Sequence, residues 1–112
     1  MACEQQSHFP IPRPPQEVFA YLASLPSVAG FSITGVNPPA YQIILSNGAS
    51  FSSWGEDLSL SIYSDGQGGT MIVAFSKPKL ATTLVDYGKN RKNVEALRRT
   101  IRGMYGLPDL PG

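Results

Sequence analysis

Asp86-Tyr87-Gly88-Lys89-Asn90-Arg91-Lys92-Asn93-Val94-Glu95-Ala96-Leu97-Arg98-Arg99-Thr100-Ile101-Arg102-Gly103-Met104-Tyr105 is the stretch whose reading decides the fold. Val94, Leu97, Ile101 and Met104 recur at i, i+3, i+7 and i+10, the spacing of one apolar face of an α-helix. Gly106, followed by Leu107 and Pro108, predicts the stop, because glycine takes the left-handed conformation that ends a helix. A helix with one apolar stripe needs a surface to lie on, and the residues before it supply a sheet.

That sheet is read from a period of two. Phe31, Ile33 and Gly35 alternate with polar or small residues, and Asn37-Pro38-Pro39 makes a turn. Tyr41, Ile43 and Leu45 alternate again, and Asn47-Gly48 is a strong hairpin signal. Phe51 to Trp54 opens a further strand, with a bulge expected at Gly55. Leu58, Leu60 and Ile62 line one face of the next run, and Asp65 to Gly69 forms a loose turn. Met71, Val73 and Phe75 are expected to face inward on the last strand. Leu80 to Val85 is ambiguous, since Leu80, Leu84 and Tyr87 already have helical spacing.

Upstream, Ser7 to Pro12 is short and extended, and its prolines suit an edge strand. Pro14 and Pro15 then lead into a short helix in which Val18, Leu22 and Leu25 share a face. The predicted class is α+β in the order β-α-β-β-β-β-α. An antiparallel meander of about five strands carries a short N-terminal helix and a long C-terminal helix on one face. The 112 residues form one domain, with residues 1–6 read as a disordered tail and 107–112 as a Pro-rich tail.

Charge is distributed unevenly. Residues 77–102 carry a net +6 and residues 1–76 a net −4, although the whole chain is only +1. The single cysteine, Cys3, rules out an internal disulfide and fits a cytoplasmic protein. No signal peptide and no transmembrane segment are read from the sequence.

The start Pro15-Gln16-Glu17-Val18-Phe19-Ala20-Tyr21-Leu22 after a first strand, then a meander and a long terminal helix, resembles the helix-grip fold of the SRPBCC superfamily. That superfamily includes START lipid-transfer domains and polyketide cyclases. Ser53-Trp54-Gly55-Glu56 and Asp86 to Val94 also resemble segments of a group of small bacterial proteins of unknown function. The superfamily usually carries a second short helix after the first; here only Pro26-Ser27-Val28-Ala29-Gly30 stands in that place.

The resemblance implies a small apolar or lipid-like ligand held between the sheet and the C-terminal helix. Its lining would be Phe19, Leu22, Tyr41, Ile43, Trp54, Leu60, Val73, Phe75, Leu97 and Ile101, all of which also read as plain core. A second reading is a protein- or nucleic-acid-interaction module in which the basic helix meets an anionic partner. Arg91, Arg98 and Arg102 share one helix face; a solvated face is the simpler account of them, with Glu95 pairing Arg99.

The polar cluster of Glu56, Asp86, Lys89, Asn90 and Arg91 has two readings. Asp86 or Asn90 caps the helix, or the helix start with Lys89, Arg91 and Lys92 receives a phosphate or carboxylate. Glu56 or Asp57 would pair with the basic helix. His8 has no second His or Cys to complete a metal site, no Gly-x-Ser-x-Gly elbow occurs, and no cofactor is expected. Catalysis is the least favoured reading. The sequence does not fix the oligomeric state, and a dimer is compatible with it.

Overall fold

In a computed structural model of the chain, residues 5–46, 56–78 and 89–110 are described. Strands β1 (Gln5–Ile11), β2 (Ser27–Val28), β3 (Phe31–Asn37), β4 (Gln42–Ser46), β5 (Glu56–Ser64) and β6 (Thr70–Pro78) form one antiparallel sheet. Helix α1 (Pro15–Ala23) follows β1, and α2 (Lys89–Met104) follows β6. The strand order is β1-β6-β5-β4-β3-β2. The architecture is therefore the expected α+β sheet with a short and a long helix, but with six strands in place of about five. The expectations placed on Asn47-Gly48, Phe51 to Trp54, Gly55 and Leu80 to Gly88 lie outside the described residues.

The extra strand is β2. Ala29 and Gly30 both adopt positive φ, 56° and 84°, which turns the chain back so that Ser27 and Val28 pair with Ser32 and Phe31. Strand β1 also begins at Gln5, two residues before the predicted start.

One contiguous core fills the space between sheet and helices. From the sheet come Phe9, Ile11, Val28, Ile43, Leu45, Leu58, Leu60, Ile62, Ile72 and Ala74. The helices add Val18, Leu22, Val94, Leu97 and Ile101. Helix α1 packs on β5 and β6, while α2 crosses β1 and β6 and reaches β2. The stripe that predicted α2 thus does its expected work, except that Met104 is exposed and Tyr105 packs at that end instead.

The inward face of β6 is the opposite of the one expected. Ile72, Ala74 and Ser76 are buried, whereas Met71, Val73 and Phe75 lie on the outer face, half-covered. Residues directly opposite in an antiparallel ladder share a face. Ser76, Ala74 and Ile72 stand opposite Leu58, Leu60 and Ile62, and Ile72 also stands opposite Phe9. The turn sets this register. Asp65 Oδ1 accepts from the backbone N–H groups of Gln67 (2.7 Å) and Gly69 (2.9 Å). Gly66 and Gly68 take positive φ, and the strands resume with Ser64 opposite Thr70. A one-residue slip would reverse every side chain of β6.

Small residues inside β6 leave room for buried polar contacts. Asn93 on α2 donates through Nδ2 to Ser76 Oγ at 3.3 Å, and Thr70 Oγ1 donates to the Arg13 carbonyl at 2.6 Å.

Candidate functional site: the face between helix α2 and strand β1

The α2 sequence carries six cations, Lys89, Arg91, Lys92, Arg98, Arg99 and Arg102, against Glu95 alone. Arg91, Glu95, Arg98 and Arg102 follow one another at helical spacing beside the buried Val94–Leu97–Ile101 stripe, so they run along the edge where α2 meets β1. An open groove of ≈ 290 Å³ lies there, lined by Gln5, Gln6, Ser7, Arg91, Val94, Glu95 and Arg98.

At one end of this face the chain's own C-terminal segment is bound. Helix α2 closes with a Schellman motif: Leu107 N–H donates to the Arg102 carbonyl (2.9 Å) and Gly106 N–H to that of Gly103 (3.1 Å). Gly106 supplies the required positive φ of 71°, as the sequence predicts. The chain then folds back. Pro108 meets Arg102, and Asp109 meets Arg98 and Arg99, so the segment runs antiparallel to the helix. Leu107 and Leu110 are half-buried against the core.

Two arginines hold this segment to the fold. Arg98 Nε donates to Asp109 Oδ1 at 2.8 Å and Nη2 to Oδ2 at 3.4 Å, a two-pronged carboxylate contact, while Nη1 approaches Ser7 Oγ at 3.5 Å. The Arg98 hydrogen bonds hold the Asp109 carboxyl at about 2, with a further contribution from the Leu110 N–H, and Asp109 raises Arg98 in turn. Arg102 is 7% exposed; its Nε donates to the Pro108 carbonyl at 2.8 Å and its Nη1 to the Pro10 carbonyl at 2.6 Å. Arg98 and Arg102 therefore correct the picture of a uniformly solvated face: both join the terminal segment to β1.

Arg91 differs. Its side chain is 67% exposed and pairs only loosely with Glu95, 3.5 Å away. Glu95 thus pairs with Arg91 and not, as expected, with Arg99, whose partner is Asp109 at 3.5 Å.

The residues expected to line an apolar site fall into separate places. Leu22, Leu60, Leu97 and Ile101, with Ile43, are fully buried in the core and pack together. Phe19 stacks on Tyr41 with centroids 4.9 Å apart and planes 7° from parallel, half-buried beside that core. Phe75 and Val73 are on the other side of the sheet and cannot share a site with them, because of the β6 register described above. Of the polar cluster, Arg91 lines the groove, Glu56 opens β5, and Lys89 and Asn90 open α2. Trp54 and Asp86 lie outside the described residues. Among the described residues, no three His, Cys, Asp or Glu side chains gather as a metal ion would require, and no helix is long and apolar enough to cross a membrane.

Asp109 is the residue of this face that sequence reading missed. Its signal was available: a lone acid, framed by Leu107 and Leu110, three residues beyond the glycine stop of a helix of net charge +5. Comparison with protein-family models and with curated proteins finds no match to this sequence.

Proposed function

We propose that the chain is a protein-interaction module whose α2–β1 face takes an acidic, extended segment of another polypeptide. One observation carries this reading. Arg98 already holds a carboxylate in cis, on a segment that folds back along α2, and the groove continues along the same helix edge to the exposed Arg91. Charge complementarity of this kind raises association rates and selects partners. Glu95 and the amide side chains of Gln5 and Gln6 in the groove suit a polypeptide better than a run of phosphates.

A small apolar ligand between sheet and α2 would have to displace Leu22, Leu60, Leu97 and Ile101 from full burial, which disfavours that alternative. We also infer helix-grip kinship, on the strength of the strand–helix start and of a long helix over an antiparallel sheet. The test is fluorescence anisotropy with a labelled peptide of alternating glutamate and valine. Arg91→Glu should weaken binding about tenfold, as losing and reversing one partly exposed charge contact implies. Equal affinity for the variant and the unaltered chain would overturn the reading.

A further inference from the structure

Among the described residues, strand β1 lies at the end of the sheet and pairs with β6 on one side only. Pro10 reveals which way its backbone groups point. Its carbonyl is turned away from β6, toward Arg102 Nη1 at 2.6 Å, and proline has no N–H to give to the ladder. Backbone groups alternate sides along a strand, so the N–H and C=O of His8 and of Gln6 point outward as well. Both residues are exposed, and no backbone hydrogen bond from another described segment reaches them. The groove with Arg91 and Arg98 runs beside this stretch, which no described strand pairs on its outer edge, on the side of the sheet that α2 covers.

Resting on the interaction reading above, we propose that the acidic segment binds by strand addition: it pairs with Gln6 and His8 and extends the sheet beyond β1. Every second side chain of the added strand then faces α2, so carboxylates spaced i, i+2 would meet Arg91 and its neighbours. The intervening side chains lie on the outer face beside Gln6 and His8. Pro10 ends the site, since it offers no donor and its carbonyl already serves Arg102. A second copy of the chain is the poorer occupant. Pairing two β1 edges would set two α2 helices, each of net charge +5, side by side.

The test uses the alternating Glu/Val peptide and two derivatives N-methylated at either the glutamates or the valines. The full chain is compared with His8→Pro, which removes an outward N–H without touching the β6 ladder, and with Arg91→Glu. Strand addition predicts at least tenfold weaker binding for His8→Pro and for one methylated peptide, with the other methylated peptide little changed. It also predicts that the amides of Gln6 and His8 in the unaltered chain exchange at least tenfold more slowly when peptide is added, a readout independent of how the variant folds. Sensitivity to Arg91→Glu with indifference to His8→Pro, to both methylation patterns and in exchange would overturn strand addition and leave the interaction reading standing. Binding indifferent to Arg91→Glu, or no binding, would overturn both.

Discussion

Arg102 sits where three parts of the molecule meet, and its removal should show how the α2–β1 face is held together. Its guanidinium is almost wholly buried and gives one hydrogen bond to Pro10 on β1 and one to Pro108 in the terminal segment. Hydrogen bonds from charged donors contribute about 1.5–3 kcal/mol each, so the pair amounts to roughly 3–6 kcal/mol before any offset. Burying the cation costs part of that back. Pro10 and Pro108 are themselves exposed, so water can reach their freed carbonyls. The expected net loss for Arg102→Ala is about 2–3 kcal/mol, or a midpoint lower by roughly 10 °C in a domain of this size. Arg102→Lys keeps the charge but lacks the fork that serves two carbonyls at once, so it should lose an intermediate amount. Urea unfolding of the three proteins measures the difference, and amide exchange at Leu107, Asp109 and Leu110 should accelerate in both variants. A stability within 0.5 kcal/mol of the unaltered chain, which is the ordinary range for a surface change, would refute the clamp.

Other features make separate predictions. Ile72→Ser should cost about 3 kcal/mol, because it empties a fully buried position, while Phe75→Ser on the outer face should cost clearly less; equal losses in chemical denaturation would restore the opposite register. The Tyr105 hydroxyl is buried with no partner among the described residues, its ring edge-on to Tyr21 at 5.8 Å. Burial, with Glu17 nearby, raises its pKa. Tyr105→Phe should therefore leave stability unchanged or raise it by up to about 1 kcal/mol, since an unsatisfied polar group is removed; a clear loss in thermal denaturation would reveal a missed hydrogen bond. Asp109 is held at about 2 against an ordinary value of 3.8. A depressed carboxyl adds stability that is full above the ordinary value and is lost as the pH falls through the folded one. The stability advantage over Asp109→Asn should accordingly fade between about pH 4 and pH 2; a difference that persists at pH 2 would contradict the Arg98–Asp109 contact.

The sequence and the structure agree wherever a pattern is long and unambiguous. Leu58, Leu60 and Ile62 alternate cleanly and face the core, and the Val94–Leu97–Ile101 stripe packs where its spacing places it. Gly106 stops α2 because the Schellman motif demands a positive φ that glycine adopts without strain. Strand β6 was not legible in the same way. Both of its parities carry apolar residues, and the bulkier set, Met71, Val73 and Phe75, is the outer one. Only the length of the Asp65–Gly69 turn and its Asp65 hydrogen bonds choose between them. Strand β2 is two residues long, too short to show any period, and depends on the positive φ of Ala29.

The site was legible in part. Basic residues on one edge of α2 could be read from spacing alone, and Arg91 stands in the open as that reading implies. The roles of Arg98 and Arg102 could not, because their acceptors are backbone carbonyls and a carboxylate brought near by the reversal at Gly106. Periodicity reports which face a residue shares. It carries no information on a segment that returns along that face after the helix has ended.

The measurement that bears most directly on the central claim is an amide chemical-shift titration of the isotope-labelled chain with the alternating Glu/Val peptide. The account predicts saturable shifts confined to Gln5–His8 and to Arg91–Arg98, weakened by added salt as a contact between charged groups must be. Shifts centred on the outer face at Val73 and Phe75, or none along β1 and α2 at saturating peptide, would contradict it.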